Sequence, residues 1–584
     1  MDTVRLKING IEVEAPQGAT IIEAARLAGV RIPTLCYLKG INAIGACRIC
    51  LVEGTEGGRP MRGLVAACVY PVSEGMEVFT NTPKVIQSRK NTLELILSNH
   101  RMDCLSCSRN GNCELAALAK EYGVDQYRFG DGRDIPVALD TSSPHLVRDN
   151  SKCILCRRCV AVCRQNQYVA VIGTNERGFA TNIGSAFDVK LAETSCIHCG
   201  QCITVCPTGA LSVKDDTAKV WDAIHDPSKH VVVGPAPSVR AQLGECFGEK
   251  MGTNVEGKMV AALRRLGFDK VFDVDTAADM TIMEEGTELL ERVKNGGTLP
   301  MITSCSPGWV KFCETYYPDF IPNLSSCKSP QQMYGALMKT YYAEKEGIDP
   351  KDIFVVSVMP CTAKKFEIGR EDESASGYAD IDVSITTVEL ASMIKRAGLD
   401  WDSLPDEEFD PAFGLGTGAG HIFGATGGVM EAALRTVYEV VTGETAPGVD
   451  YNEVRGTEDI KEATYDIGGM KVNVAVTSGL ANAAKLLDSV RSGEKNYHFI
   501  EVMCCPGGCV NGGGQPDVPG YVRSAVDVRA LRAKALYKED EASVYRKSHE
   551  NPVVKEIYKS YLGEPGSHKA HEILHTTYVA RKKY

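Results

Sequence analysis

Residues 153–163 read CILCRRCVAVC, and residues 196–207 read CIHCGQCITVCP. Both runs have the spacing C-x2-C-x2-C-x3-C, which holds [4Fe–4S] clusters through cysteine thiolates. Two residues between cysteines let a tight loop wrap one corner of a cubane and direct backbone N–H groups at its sulfurs. The two runs therefore predict two neighbouring [4Fe–4S] clusters.

This spacing is that of bacterial two-cluster ferredoxins, in which the fourth cysteine of each run binds the other cluster. The predicted ligand sets are Cys153, Cys156, Cys159 and Cys206 for one cluster, and Cys196, Cys199, Cys202 and Cys163 for the other. Arg164 follows Cys163 where a proline is usual, which is a small departure. Structural zinc is the alternative, but zinc needs only four ligands, usually in two pairs. We predict a ferredoxin domain with two [4Fe–4S] clusters over residues 141–222.

The first 80 residues predict a small sheet packed on a helix. Apolar and polar residues alternate on both sides of a turn at Asn9-Gly10, and Thr20 is a plausible helix cap. Four cysteines follow in loops, namely Cys36, Cys47, Cys50 and Cys68. Their spacing resembles a plant-type [2Fe–2S] site with a longer first gap, and zinc is the weaker alternative. We predict a β-grasp [2Fe–2S] domain over residues 1–80.

The next cysteines form the pattern His100-x3-Cys104-x2-Cys107-x5-Cys113 after a helical stretch over residues 85–100. A lone histidine is usually a surface or hydrogen-bonded side chain, but three closely spaced cysteines need a fourth ligand. We interpret the pattern as a [4Fe–4S] site with one histidine ligand, in a small helical domain over residues 81–140. A neutral imidazole should raise the reduction potential relative to an all-cysteine site.

Composition limits the classes of function. The chain has 584 residues, which predicts several domains, and a net charge of −11, which argues against nucleic acid or an anionic membrane as partner. No apolar run is long enough to span a membrane, and the N-terminus lacks a signal-peptide pattern. We therefore expect a cytoplasmic protein, where the 23 cysteines would bind metal rather than form disulfides.

Beyond residue 222 cysteines become sparse and a large α/β domain is predicted over residues 223–525. The runs 231–233 and 354–358 are typical of buried parallel strands, and residues 281–294 of a helix. Cys246, Cys313 and Cys327 are most simply buried small apolar residues. A charged helical region is predicted for residues 526–584.

Three stretches of the large domain carry its chemistry: TSCSPGW at 303–309, MPCTAKKFE at 359–367 and EVMCCPGGC at 501–509. They resemble, in order, the three signature motifs of iron-only ([FeFe]) hydrogenases. The resemblance covers nearly the whole chain, including the cluster domains. Residues 548–550 and 570–575 resemble the small subunit of this family, here fused to the large one.

The resemblance implies an H-cluster, a [4Fe–4S] cubane bridged by a cysteine thiolate to a diiron unit with CO, cyanide and a bridging dithiolate. Cys361, Cys505 and Cys509 match cubane ligands, Cys509 matches the bridging one, and Lys364 matches the donor to a cyanide. Positions that line the diiron pocket are matched by Pro237, Ser238, Gln331, Met359, Phe423 and Met503. The proton relay of the family is matched by Cys305, Glu285, Ser325, Glu288 and Arg292. Taken alone, Glu285 and Glu288 fit ordinary carboxylates on a helix surface.

One position departs from the family pattern. Many members have two adjacent cysteines where this chain has Cys305-Ser306, and the second of them is the fourth cubane ligand. Ser306 could ligate iron as an alkoxide, Cys305 could take the ligand role, or Cys504 could compensate. A degraded site is disfavoured because the other two motifs and the relay residues are present in full.

The sequence predicts a redox enzyme that catalyses 2H+ + 2e− ⇌ H2, with one [2Fe–2S] and three [4Fe–4S] clusters in a row feeding an H-cluster. The alternative class is a non-catalytic or H2-sensing electron-relay subunit. Residues 424–428 do not form a dinucleotide fingerprint after a strand, so this chain should not bind NAD itself. The N-terminal modules resemble those of respiratory complex I and NAD-linked hydrogenases. We therefore expect flavin/NAD-binding and small Fe–S partner subunits, together with ferredoxin; a stand-alone ferredoxin-linked enzyme is the alternative.

Overall fold

The computed structural model of the chain describes residues 2–124, 128–129 and 139–583. Short parts of the predicted first, second and last domains, at residues 1, 125–127, 130–138 and 584, lie outside the described residues. Among the helices of the described part, none is both long and apolar enough to cross a membrane.

The N-terminal module is a mixed sheet that holds one helix. Its elements are β1 (Thr3–Ile8), β2 (Ile11–Pro16), α1 (Ile21–Leu27), β3 (Leu51–Glu56), β4 (Arg59–Pro60), β5 (Val65–Ala66) and β6 (Glu77–Phe79). The strand order is β2-β1-β6-β3-β4, with β5 on β3 and with β1 parallel to β6. Asn9 and Gly10 both have positive φ, which a two-residue hairpin turn of this kind requires. The predicted hairpin, capped helix and β-grasp fold are confirmed.

Two helices form the second module, α2 (Pro83–Leu97) and α3 (Glu114–Glu121). The Thr82 hydroxyl accepts a hydrogen bond from the Val85 N–H at 3.3 Å and so caps α2. Leu93 of α2 and Leu115 of α3 are buried in one small core. The loop between the helices carries the predicted His/Cys cluster residues.

The third module holds both cysteine runs. Its elements are β7 (Leu139–Asp140), β8 (Leu146–Asp149), α4 (Arg158–Gln165), β9 (Gly173–Asn175), β10 (Asn182–Gly184), α5 (Gln201–Thr204) and β11 (Leu211–Val213). Leu155 and Arg157 in the first run, and His198 and Gly200 in the second, have left-handed backbone conformations. Because these residues occupy equivalent positions, the two runs fold into matching tight loops, each followed by a short helix.

The large region contains two four-stranded sheets. The first has the order β13-β12-β15-β16, all parallel, and the second has the order β14-β19-β18-β17, with an antiparallel β17–β18 hairpin. The strands are β12 (His230–Pro235), β13 (Lys270–Val271), β14 (Met301–Ile302), β15 (Ile353–Met359), β16 (Val383–Thr386), β17 (Ile460–Ile467), β18 (Met470–Ser478) and β19 (Phe499–Met503). The runs 231–233 and 354–358 pair as parallel strands, as predicted.

The large region also contains helices. They are α6 (Thr217–Ile224), α7 (Pro237–Arg240), α8 (Glu256–Leu266), α9 (Asp275–Asn295), α10 (Pro307–Tyr316), α11 (Pro330–Leu337), α12 (Ala343–Glu346), α13 (Lys364–Glu367), α14 (Thr387–Arg396), α15 (Gly418–His421), α16 (Gly428–Thr442), α17 (Leu480–Arg491) and α18 (Gly520–Arg523). The predicted helix over 281–294 lies within α9. Cys313 and Cys327 are fully buried, as predicted, whereas Cys246 is half-buried.

The C-terminal region packs onto the large domain. It consists mainly of α19 (Val528–Ala542), α20 (Pro552–Ile557) and α21 (His568–Leu574), which contact α15, α9 and α11 respectively. Arg435 and Asp540 form a fully buried ion pair at 2.8 Å between α16 and α19. Removing one partner would leave the other charge buried and unpaired, so this contact ties the C-terminal region to the domain.

Candidate active site and cluster sites

A cavity lies where the parallel strands of both sheets end. The loops after β12 and β15 of the first sheet, and after β14 and β19 of the second, all border it. The carboxyl ends of parallel strands are the usual place for ligand sites because the loops there converge. All three signature stretches meet in this cavity although they are far apart in the sequence.

Three of the predicted cubane ligands gather at the cavity wall. Burial raises the pKa of the Cys361 thiol, and the neighbouring charges of Cys505 and Cys509 raise it further. Burial also raises the pKa of Cys509 to about 12, with Cys505 adding to the rise. Buried thiols at such close quarters become thiolates when a metal supplies positive charge. The donor set therefore fits an iron–sulfur cubane.

The predicted pocket residues all line the same cavity. Met359 ends β15 and Met503 ends β19, so both methionines reach it from the sheet ends. The cavity surface is mostly apolar, and the other predicted pocket residues on it are Pro237, Ser238, Gln331, Phe423 and Ser306. Such a lining excludes water from a bound cofactor.

Lys364 brings a positive charge to the cavity wall. Its Nζ donates to the Ser329 hydroxyl at 2.7 Å, to a Glu367 carboxylate oxygen at 2.8 Å and to the Cys305 backbone carbonyl at 3.3 Å. Gln331 Nε2 donates to the same Glu367 oxygen at 2.8 Å. The ammonium group is therefore held in place at the cavity, where it can donate to an anionic ligand.

The predicted relay residues lie behind Cys305. Glu285, Glu288 and Arg292 are on α9, and Ser325 is in the loop before α11. The Ser325 hydroxyl donates to Glu288 Oε2 at 2.9 Å, and Arg292 Nη2 donates to Glu288 Oε1 at 2.6 Å. Arg292 is half-buried, so the series runs from the cavity wall toward the surface.

Glu285 is buried, with 1% of its surface exposed, so the interpretation of a helix-surface carboxylate is wrong for this residue. Its two oxygens have no hydrogen-bond partner of ordinary geometry among the described residues. Burial raises its pKa to about 8; the charge of Glu288 adds to the rise, while Ser325 opposes it. A carboxyl with a pKa near neutrality can both take up and release protons.

The four cysteines of the N-terminal module converge. Cys36 has Cys47 and Cys68 as close neighbours, and Cys68 also has Cys50 as a neighbour. These neighbours lower the pKa of Cys36 and raise that of Cys68. Four sulfurs gathered in this way fit a [2Fe–2S] cluster.

His100 lies in the loop that also carries Cys104, Cys107 and Cys113. Its Nδ1 is buried and has no hydrogen-bond partner in the described part of the chain. Burial lowers the pKa of the ring, which keeps the imidazole neutral. A neutral imidazole with an unused buried nitrogen fits a metal ligand.

The ferredoxin module pairs its cysteines across the two runs. Cys206 is an electrostatic neighbour of Cys156 and Cys159, and it lines one cavity together with them and with Cys153. Cys163, which ends the first run, is a neighbour of Cys196, Cys199 and Cys202 of the second run. The fourth cysteine of each run thus lies with the other run, as the spacing predicts.

The cluster sites form a fork rather than the single row expected from sequence order. The Asn42 side-chain amide donates to the carbonyls of both Cys36 and Cys156, at 2.8 and 3.0 Å. The His/Cys loop reaches the same ferredoxin site, because Cys113 Sγ lies 3.8 Å from the carbonyl of Pro207. Both N-terminal sites therefore adjoin the first ferredoxin site. Cys199 of the second ferredoxin site lines the active-site cavity.

Sequence reasoning did not assign roles to two buried carboxylates of the signature stretches. Glu367 accepts from Lys364 three residues before it on α13, a spacing that could have indicated the pair. Glu501 accepts from the N–H groups of Gly427 and Met430, at 2.6 and 2.8 Å, and so holds the start of α16 beside the cavity. No local pattern indicates the second contact.

Comparison with protein families agrees with this architecture. The C-terminal domain of the iron-only hydrogenase large subunit matches residues 229–513, and the iron hydrogenase small subunit matches residues 526–581. The 2Fe-2S iron-sulfur cluster binding domain matches residues 1–83, the NADH-ubiquinone oxidoreductase-G iron-sulfur binding region residues 89–128, and the 4Fe-4S dicluster domain residues 152–210. The chain belongs to the iron-only hydrogenase family, and its hydrogenase relatives are oxidoreductases acting on H2.

Individual relatives support this assignment over the whole chain. The NADP-reducing hydrogenase subunit HndD of Solidesulfovibrio fructosivorans is 47% identical over 594 residues, covering 100% of both chains. Iron hydrogenase 1 of Clostridium pasteurianum is 46% identical, covering 98% of this chain and 99% of its own. A solved variant of [FeFe]-hydrogenase HydA1 from Chlamydomonas reinhardtii is 43% identical with a TM-score of 0.56, covering 63% of this chain and 100% of its own. The predicted fold class and enzyme class are confirmed.

Proposed function

We propose that this chain is the H2-converting subunit of a multi-subunit hydrogenase that exchanges electrons with NAD(P), through partner subunits, and with ferredoxin. The observation that carries the proposal is the cavity in which all three signature stretches meet, with cysteines on its wall and a buried carboxylate behind Cys305. The name of the relative HndD, a subunit of an NADP-reducing hydrogenase, supports the link to NADP.

The cavity is proposed to hold the H-cluster through Cys361, Cys505 and Cys509, with Cys509 bridging to the diiron unit. When bound, this cofactor supplies the redox chemistry of H2. Lys364 would donate to a cyanide of the diiron unit, because its ammonium is fixed at the cavity wall. The methionines and Phe423 would exclude water from the diiron pocket.

The proton path is proposed to run from Cys305 through Glu285, Ser325 and Glu288 to Arg292. Cys305 borders the cavity; burial raises the pKa of its thiol and the charge of Glu285 raises it further, which supports their being neighbours. Glu285 would pass protons because its pKa is close to neutral and Ser325 is its neighbour. Glu288 and Arg292, joined at 2.6 Å, would pass them to the surface.

The accessory clusters are proposed to be one [2Fe–2S] and three [4Fe–4S] clusters with the ligands predicted above. The two N-terminal clusters would be alternative routes into the first ferredoxin cluster, since both sites adjoin it. Cys104 is exposed and Leu105 is 94% exposed, which supports electron exchange with a partner at that branch. We retain the domain boundaries at residues 80, 140, 222 and 525, and a cytoplasmic location, as proposals.

The first prediction tests the function through metal content and activity. Chain matured with its diiron unit should bind about 20 irons, of which about 14 belong to the accessory clusters. It should also oxidise H2 with an artificial dye. Iron and sulfide analysis beside a dye-linked assay measures both. Stoichiometric zinc or only a few irons would contradict the cluster assignment, and a fully loaded but inactive chain would favour the H2-sensing alternative.

The second prediction concerns His100. The variant His100→Cys should keep its [4Fe–4S] cluster and lower its reduction potential, because the added thiolate charge stabilises the oxidised form. A redox titration followed by electron paramagnetic resonance measures the shift. His225→Cys, at an exposed position outside the cluster modules, is the matched control and should leave every potential unchanged. An unchanged reduction potential in His100→Cys would show that His100 is not a ligand of this cluster.

The third prediction concerns the N-terminal [2Fe–2S] module as the place where the electron acceptor docks. Deletion of residues 1–80 should abolish electron transfer to the physiological acceptor that docks there while sparing dye-linked H2 oxidation. The matched control is His100→Ala, because this variant disturbs only the His/Cys branch of the fork. Both activities are compared in chains with equal H-cluster loading by infrared spectroscopy. Loss of dye-linked activity in the deleted but loaded chain would refute the docking role.

A further inference from the structure

A cubane needs four ligands, and the cavity gives three cysteines in the positions that the family uses. The position of the usual fourth ligand is occupied by Ser306, at the start of α10. A serine hydroxyl is a poor substitute because iron–sulfur clusters bind soft thiolates and a hydroxyl does not ionise near neutral pH. The Ser306 Oγ also accepts a hydrogen bond from the Cys504 N–H at 3.2 Å. That bond joins the two positions directly.

The Cys504 side chain packs against the same first turn of α10. A methyl group placed on Gly308 would lie 2.7 Å from Cys504 Sγ, so only glycine leaves room for this sulfur. Gln167 holds the other side, with its Nε2 donating to the Cys504 carbonyl at 3.1 Å. Cys504 is buried and lines the cavity together with Ser306 and Cys505. The sulfur at position 504 and the hydroxyl at position 306 therefore share one corner of the site.

Cys305 lies on a different side of the cavity from Cys504. It packs with the apolar cluster that contains Phe423 and Met503, whereas Cys504 packs with the cluster around Trp309. The electrostatic neighbours of Cys305 are Glu285, Lys364 and Cys509, which belong to the relay and the diiron end. Those of Cys504 are Cys199 and Cys505. Two cysteines thus occupy two separate places.

We propose that Cys504 is the fourth ligand of the H-cluster cubane in this chain, in place of the residue at position 306. The proposal rests on the proposed function. It leaves Cys305 free as the proton donor and gives Ser306 a positioning role, through its hydrogen bond to the Cys504 N–H.

The proposal has a consequence for electron transfer. Cys199 is a predicted ligand of the second ferredoxin cluster, and it lines the same cavity and packs on the same apolar cluster as Cys504. With Cys504 on the cubane, a ligand of one cluster would lie close to a ligand of the next. Electrons from the ferredoxin module would then reach the cubane at this place.

The test exchanges the two residues in full-length chain produced without diiron maturation, so that only the cubane and accessory clusters form. Cys504→Ala should lower the iron content by about four per chain and remove the cubane signal in electron paramagnetic resonance. The double variant Ser306→Cys with Cys504→Ala should restore both, because the thiolate returns to the neighbouring position. Ser306→Cys alone should keep all the irons.

Full iron content and an unchanged cubane signal in Cys504→Ala would overturn the proposal. So would a loss that Ser306→Cys does not restore, since Cys504 would then act elsewhere, for example on the second ferredoxin cluster. Retention of the [2Fe–2S] signal shows that each variant has folded. If the unsubstituted chain itself bound only about 14 irons, the proposed function would fail instead, so the two failures are distinguishable.

Discussion

Replacement of Cys305 by serine is expected to lower turnover by about 10²- to 10⁴-fold in both directions while the H-cluster stays loaded. A thiol ionises much nearer to working pH than a hydroxyl, so serine cannot give and regain a proton at a useful rate. Cys305 borders the cavity and has Glu285 as an electrostatic neighbour, so the proton has a place to go. Dye-linked H2 oxidation and evolution measure turnover, and infrared bands of CO and cyanide measure loading.

A control is available on α10. Cys313 is fully buried, whereas Cys305 is half-buried, and the Cys313 Sγ lies 3.4 Å from the Tyr317 carbonyl, away from the cavity. Cys313→Ser should keep turnover within a few-fold of the unsubstituted chain. A loaded and fully active Cys305→Ser enzyme would exclude the donor role, whereas loss of the cubane irons from Cys305→Ser would identify Cys305 as a ligand instead.

Glu285→Gln is expected to lower turnover by about 10²-fold or more, again with a loaded H-cluster. The amide keeps the size of the side chain but cannot carry a proton between Cys305 and Ser325. Glu284→Gln is the control, since Glu284 is equally buried on α9 but its oxygens accept from Tyr558, from the Gly566 N–H at 2.9 Å and from His575 at 3.1 Å. If Glu284→Gln and Glu285→Gln lost activity equally, the loss would reflect the helix rather than the relay.

The pH dependence gives Glu285 a second signature. Its pKa is raised to about 8, so the carboxyl is neutral below that pH and charged above it. H2 evolution needs a protonated Glu285 to supply Cys305, so its rate should fall as pH rises through about 8. H2 oxidation needs an ionised Glu285 to accept a proton, so its rate should rise over the same range. In Glu285→Gln the residual rates should lack this transition.

Much of this molecule is determined by short stretches of sequence. A cluster loop depends on a few residues, because the cubane is small and three of its ligands are separated from one another by only two residues. The runs 153–163 and 196–207 therefore predict not only two clusters but also the crossing of Cys163 and Cys206, which the structure places with the opposite runs. The hairpin at Asn9-Gly10 and the parallel strands β12 and β15 were also predictable, because turn residues and apolar runs are local patterns too.

The family motifs extended this to the active site. They indicate the cavity residues from the sequence alone, since each signature stretch lies at the end of a strand and carries several residues of the site. The structure brings all the predicted pocket residues to one cavity. Their chemical roles stay predictions until the variants above are measured.

The tertiary structure decided what depends on contacts between distant segments. Glu285 looks like a surface carboxylate in the sequence, but the packing around α9 buries it and raises its pKa. The row of clusters becomes a fork because Asn42 and Pro207 bring both N-terminal sites to the first ferredoxin site. The contact between Ser306 and Cys504 spans 198 residues of chain. The physical reason is common to all three: ligand spacing is a local property, whereas burial and the neighbours of a side chain depend on how separate segments pack.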